Sequence, residues 1–228
     1  MLTFDIITIF PGIFNGFLSE SLILRAQKKK LIKIRIHNLR KWAKDRHKTV
    51  DDRPFGGGLG MVLKVEPIFK AVKSIYRSRT PIDKKKVILF TPRGKKFNQK
   101  TAYRLSKLNQ IIMICGRYEG VDERVARHIA DMELSIGDYD LMGGDLPSQV
   151  LMETVTRLIP GAIGKPALLK ERITKEKGFI EYPQYTRPEV FEPKKGIRWK
   201  VPKVLLSGHH KKIEEWRKKH GKTIASLR

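Results

Sequence analysis

Three short stretches of this chain combine glycine, proline and polar side chains as a backbone does when it must come close to a small molecule. The longest runs from Glu133 to Pro147, ELSIGDYDLMGGDLP, and carries Gly137, Gly143 and Gly144. Glycine lets main-chain N–H groups approach a ligand, while Asp138, Tyr139 and Asp140 add polar and aromatic contacts. Asp145 is placed to cap the helix that follows, and Pro147 fits its first turn. Thr91-Pro92-Arg93-Gly94 and Gly116-Arg117-Tyr118-Glu119-Gly120 repeat the pattern. Glycine and proline also punctuate tight βα connections; three such loops in succession favour one shared pocket. No GxGxxG follows a strand and no GxxxxGKS/T occurs, so neither a Rossmann dinucleotide site nor a P-loop is supported.

The elements that must position these loops are legible around them. Val87–Phe90, Ile111–Cys115 and Met132–Ile136 are apolar runs of strand length. Helices are predicted after each, over about Asn98–Leu108, Val121–Ala130 and Leu146–Leu158. Strand, loop and helix in alternation predict an α/β fold with a parallel sheet, whose ligands sit outside the carboxyl ends of the strands. Upstream, Phe4–Ile9 reads as a buried strand. A helix carrying Phe14, Phe17, Leu18 and Leu22 follows, then a half-exposed strand Leu31–Ile36, a glycine loop Gly56-Gly57-Gly58-Leu59-Gly60, and a helix Val65–Tyr76. After Leu158 the pattern changes. Residues 161–178 are Pro/Gly-rich and then charged, a linker by composition, and 179–228 form a small C-terminal module with a last helix over Ile213–Lys219.

The chain has 228 residues, 40% hydrophobic and 31% charged, enough for a real core, and no apolar run reaches membrane-span length. Its opening residues run straight into a strand pattern, from which no signal peptide is expected, and the lone Cys115 fits a reducing cytoplasm. The formal net charge is +25, which points to a polyanionic partner, most simply nucleic acid, with a codon bias toward lysine as the plain alternative. Arg25–Lys48 carries eleven Lys/Arg and one acid, and Lys194–Arg228 twelve and two, whereas 110–160 is nearly balanced. Basic flanks around a near-neutral pocket suit a small-molecule site presented to nucleic acid. Adjacent His209 and His210 lack a chelating pattern, and no metal site is expected from them.

Seven stretches together resemble the bacterial tRNA (guanine-N1)-methyltransferase (TrmD) family of SPOUT-class enzymes. They are FDIITIFPGIF (Phe4–Phe14), VDDRPFGGGLGMV (Val50–Val62), CGRYEGVDERV (Cys115–Val125), SIGDYDLMGGDLP (Ser135–Pro147), RLIPGAIGK (Arg157–Lys165), YPQYTRPEV (Tyr182–Val190) and VPKVLLSGHHKKIEEWR (Val201–Arg217). The resemblance implies a SPOUT methyltransferase domain over 1–160 with a C-terminal trefoil knot, and a small, mainly helical tRNA-binding domain over 179–228. It further implies S-adenosylmethionine as methyl donor, a homodimer, dependence on Mg²⁺, and methylation of guanine N1 at tRNA position 37 after a guanosine. The family's cofactor contacts fall on Thr91, Pro92 and Gly94, on Gly116, Tyr118, Glu119 and Gly120, and on Ser135, Ile136, Gly137, Tyr139, Leu141, Gly143, Gly144 and Pro147. These are the loops already singled out.

Guanine N1 carries a proton, so transfer needs a base there and a donor at O6, where charge builds. The resemblance places the catalytic arginine at Arg157, where a favourable helix-dipole interaction would also account for an arginine. Relatives carry an acidic residue followed by Ser-Phe in the linker; here that segment reads KERITKEKG, and Glu171 is the first placement of the base, Glu176 the second. Asp51 and Asp52 are expected to border the pocket. The C-terminus stops short of the family's usual tail. An RNA-binding SPOUT homologue with an altered substrate or lost activity is the alternative.

Overall fold

The computed structural model describes residues 1–76, 81–165 and 179–224, in two compact units, Met1–Pro166 and Ala167–Arg228. Each is described by itself. In the first, the elements are β1 (Leu2–Thr8), α1 (Asn15–Ser19), α2 (Ser21–Lys28), β2 (Ile32–Asn38), β3 (Asp51–Asp52), β4 (Val62–Leu63), α3 (Val65–Ile75), β5 (Lys85–Lys96), α4 (Gln99–Leu105), β6 (Gln110–Ile114), α5 (Glu123–His128), β7 (Met132–Ser135) and α6 (Asp145–Thr156). The second holds β8 (Phe179–Glu181), β9 (Val190–Lys194), β10 (Ile197–Lys200), α7 (Lys203–Leu206), α8 (His210–His220) and β11 (Lys222–Ile224).

Five strands form one sheet in the order β2-β1-β6-β5-β7, every neighbouring pair parallel. Strand periodicity divides the core between the two faces. Phe4, Ile6, Ile111, Met113 and Ile88 pack with Ile23 and Ala26 of α2, Ala102 and Leu105 of α4, and Leu151, Met152 and Val155 of α6. Ile7, Ile112, Ile114, Val87 and Leu89 pack with Ile68, Ala71 and Val72 of α3 and Val125 of α5. Burial on both faces explains why these strands read as near-continuous apolar runs. Each fully buried Ile or Phe contributes roughly 1.5–3 kcal/mol.

Three features depart from the sequence reading. The strand expected to stop at Phe90 continues to Lys96. Leu134 pairs first with Phe90 and again with Lys95, and Ser135 with Lys96, so Thr91–Gly94 are looped out of a strand that then resumes. Gly94 lies close against the β7 backbone: a Cβ there would stand 2.6 Å from the Leu134 nitrogen. The helix expected after Phe14 is split between α1 and α2; Ser19 Oγ donates back to the carbonyls of Asn15 and Gly16, and Ser21 takes φ +48° at the junction. The C-terminal unit is mixed rather than mainly helical among its described residues. β8 pairs antiparallel with β11 and β9 with β10, beside helices of four and eleven residues. Phe191 and Trp199, directly opposite one another, form a cross-strand aromatic pair in the second pairing. Tyr185 meets Trp216 edge-on at 6.2 Å, and the Arg217 guanidinium lies over Tyr182 at 5.0 Å.

Candidate functional site

The three loops open from β5, β6 and β7, neighbouring strands of the sheet, at their carboxyl ends. Together they line a cleft of about 460 Å³, within the range of small-molecule sites. Its walls include Thr91 and Pro92, Gly116 and Tyr118 to Gly120, and Ser135 to Gly137 with Tyr139, Leu141, Gly143, Gly144 and Pro147. Of the residues expected at a cofactor site, Gly94 alone stands outside this lining; it lies instead against the backbone of Glu133 and Leu134.

Main-chain contacts lock the loops together. Gly144 N donates to Gly116 O at 3.0 Å, and Arg117 and Gly143 form an isolated antiparallel bridge. A Cβ on Gly143 would stand 2.4 Å from Gly116 O, so no larger residue fits without opening the wall. Gly137 lies under the Tyr139 ring, and Ser135 Oγ bridges both the nitrogen and the oxygen of Gly137. Tyr118, at φ +59°, and Tyr139 leave their rings exposed at the cleft, where they can contact a flat aromatic ligand.

Three charged residues on these walls escaped the sequence reading. Arg93, inside the first loop, donates through Nε to Glu133 of β7 at 3.2 Å and through Nη2 to Glu123 of α5. The hydrogen bond from Arg93 holds the Glu123 carboxyl below the usual glutamate range, and the same pair raises Arg93. Arg117 is the third. Its guanidinium lies over the Phe10 ring at 4.8 Å and grips Asp145, whose other oxygen accepts from Thr8 Oγ1 at 2.6 Å. Asp145 is therefore not the helix cap: Gly144 occupies that position and no side chain caps α6. Spacing within the loops could have flagged Arg93 and Arg117, since each adjoins a glycine already singled out. Behind the wall, burial pushes the Cys115 thiol well above its ordinary value.

Asp51 and Asp52 form β3, which pairs with β4, and neither lines the cleft. The β4 strand is the link between them and the wall: Glu119 N donates to Met61 O, Leu63 N to Gly120 O, and Asp122 N to Leu63 O, each at 3.0 Å. The glycine loop also presses on the wall, since a Cβ on Gly60 would meet Glu119 Cγ at 2.6 Å. Arg157 is the C-cap of α6 and is exposed. It stands about 18 Å along the helix from Asp145, taking roughly 1.5 Å of rise per residue, and is not brought to the cleft of its own chain. Glu171 and Glu176 lie outside the described residues. Among the described residues no three His, Cys, Asp or Glu side chains gather to hold a metal ion, and no helix is long and apolar enough to cross a membrane.

Comparison with known proteins agrees with the site. The family model described as tRNA (Guanine-1)-methyltransferase TrmD matches residues 2–228. A Dictyoglomus turgidum protein named tRNA (guanine-N(1)-)-methyltransferase is 51% identical over 219 residues, covering 96% of this chain and 84% of its own length. Proteins of the same name from Geobacter sp. (strain M21) and Clostridioides difficile (strain 630) are 46% and 45% identical, each over 225 residues; they cover 98% and 99% of this chain and 87% and 94% of their own lengths. With a match of that extent, and a glycine-walled cleft at the carboxyl ends of a parallel sheet, this chain belongs to the tRNA (Guanine-1)-methyltransferase TrmD family.

Proposed function

We propose that this chain methylates N1 of guanine at position 37 of tRNA, after a guanosine, using S-adenosylmethionine bound in the three-loop cleft. The observation that carries the reading is the family match over residues 2–228 of a chain whose three glycine-containing loops line a cleft with two exposed tyrosines. Looped-out Thr91–Gly94 and the close approach of Gly143 to Gly116 bring main-chain groups to the ligand beside the side chains of the walls. In the same reading these loops belong to a SPOUT trefoil knot. The protein acts in the cytoplasm, and the basic segments 25–48 and 194–228 contact phosphates, so binding weakens steeply with salt.

S-adenosylmethionine supplies a sulfonium-borne methyl group. The protein's part is to activate the nucleophile. A linker carboxylate, Glu171 or Glu176, takes the N1 proton, a step worth about 10²- to 10⁴-fold. Arg157 donates to O6 as negative charge develops there, a contribution of roughly 3 kcal/mol. In this reading a second copy delivers it, since Arg157 is not brought to the cleft of its own chain. Leu146, Val150, Glu153 and Arg157 share one exposed face of α6, and Phe10, Ile13 and Met142 add further exposed apolar side chains, which supports a homodimer built on that face.

The test is methyl transfer from labelled S-adenosylmethionine to a tRNA transcript with guanosines at positions 36 and 37, beside a transcript with adenosine at 37. Methylation of the first alone, abolished in Arg157→Ala and in one of Glu171→Ala and Glu176→Ala, is the expected result. Cofactor binding without transfer to either transcript would replace this reading with that of an RNA-binding homologue.

A further inference from the structure

Residues 190–200 form an antiparallel hairpin in the C-terminal unit. Trp199 lies opposite Phe191 and Lys200 opposite Val190, and Val201 N closes the base by donating to Glu189 O at 2.9 Å. Gly196, at φ +83°, makes the turn, and its N–H donates to the Glu192 carboxylate at 2.9 Å. Every residue of both strands is exposed. Phe191 and Trp199 share one face with ring centroids 5.7 Å apart, yet leave 51% and 63% of their surface open. Val190 and Ile197 are exposed as well. A two-stranded hairpin is marginal by itself, and a packed aromatic pair that is still half open to solvent is an unused contact surface.

Charge identifies what fits it. The same eleven residues carry Lys194, Lys195, Arg198 and Lys200 against the single acid Glu192, whose carboxylate is already engaged with the turn. Lysine is depleted from the buried centre of protein–protein interfaces, which argues against an apolar protein partner. Exposed π faces among cations are instead the surface on which unpaired bases stack while phosphates are neutralised.

We propose that this hairpin is an RNA-stacking platform: Trp199, backed by Phe191, stacks on an unpaired base of the bound tRNA, and Lys194, Lys195, Arg198 and Lys200 take the adjoining phosphates. The proposal rests on tRNA being the substrate and adds base stacking by Trp199 to the phosphate contacts of the basic segment 194–228.

Two measurements on the full chain test it. Amide hydrogen exchange of the wild-type protein should show protection across 190–200 when the tRNA transcript is added. In parallel, Trp199→Ala should raise the Kd for that transcript roughly 5- to 100-fold, as expected for losing one stacked base, with S-adenosylmethionine affinity unchanged. Trp199→Phe should retain most of the affinity, and Arg198→Gln should lower the salt slope of binding by about 1. If the wild type binds and methylates the transcript while the hairpin amides stay unprotected, the platform is overturned and the methyltransferase reading stands. A change in oligomeric state in Trp199→Ala at constant tRNA affinity overturns it equally. A wild type that neither binds nor methylates tRNA removes the substrate reading, and the platform with it.

Discussion

Arg117 and Asp145 meet in a two-point contact, Nε at 2.7 Å and Nη2 at 2.6 Å from the same carboxylate oxygen, with the aspartate 1% exposed. The pair joins the second cleft loop to the start of α6, and through Thr8 it reaches the end of β1. A buried charge is tolerated only when paired, and removing one partner typically costs about 3–5 kcal/mol. Asp145→Ala is therefore expected to lower the midpoint of thermal unfolding by about 10 °C. Differential scanning calorimetry checks this. A loss under about 2 °C would show that the contact carries no weight.

Gly94 and Gly143 should behave unlike glycines elsewhere. At Gly94 an added methyl meets the backbone of Glu133 and Leu134, and at Gly143 it meets the Gly116 carbonyl. Backbone cannot step aside as a flexible side chain can. Gly94→Ala and Gly143→Ala are expected to destabilise by roughly 1–3 kcal/mol, as overpacking does, and to weaken binding at the cleft. Gly12→Ala, with nothing within 4 Å, is the matched control and should leave both unchanged. Urea unfolding and calorimetric titration with S-adenosylmethionine separate the two effects. Equal behaviour of all three variants would refute the close-packing account.

The Arg93–Glu123 clamp gives a pH dependence with a definite sign. The hydrogen bond from Arg93 lowers the folded-state pKa of Glu123 below its ordinary value. Its contribution to stability is therefore complete above the ordinary glutamate range, about 4.3, and is lost as pH falls through the lowered value. The stability difference between wild type and Glu123→Gln should be flat from about pH 8 to 5 and shrink below about 4. Denaturant unfolding across that range is the measurement. A difference that widened on acidification would contradict the assignment.

Local pattern carried much of the architecture. Ile111–Ile114 and Val87–Phe90 are apolar at every position because both faces of the sheet are covered, and each run ends at a glycine or proline that marks its loop. Residues such as Tyr118, Gly137 and Gly144 could be assigned to one cleft on that basis. The role of Gly94 could not, because it depends on Leu134 pairing with two residues of β5, a register that no periodicity encodes. Asp145 was misread for a related reason. Locally it has the type and place of a helix cap, but Thr8, 137 residues earlier, and Arg117 claim its oxygens. An arginine at a helix C-terminus is ordinary by dipole arguments, so only the family resemblance singles Arg157 out.

The double pairing of Leu134 also bears on when the site comes into being during synthesis. The looped-out Thr91–Gly94 is held in shape by β7, the second wall by Gly143 and Gly144, and the whole by Asp145 reaching back to Thr8. A nascent chain that has emerged through β6 already holds the strands that carry the first two loops, yet has no cleft. The enclosed cleft is thus completed in one late step, when residues 132–147 join a sheet whose first strand was made at the outset.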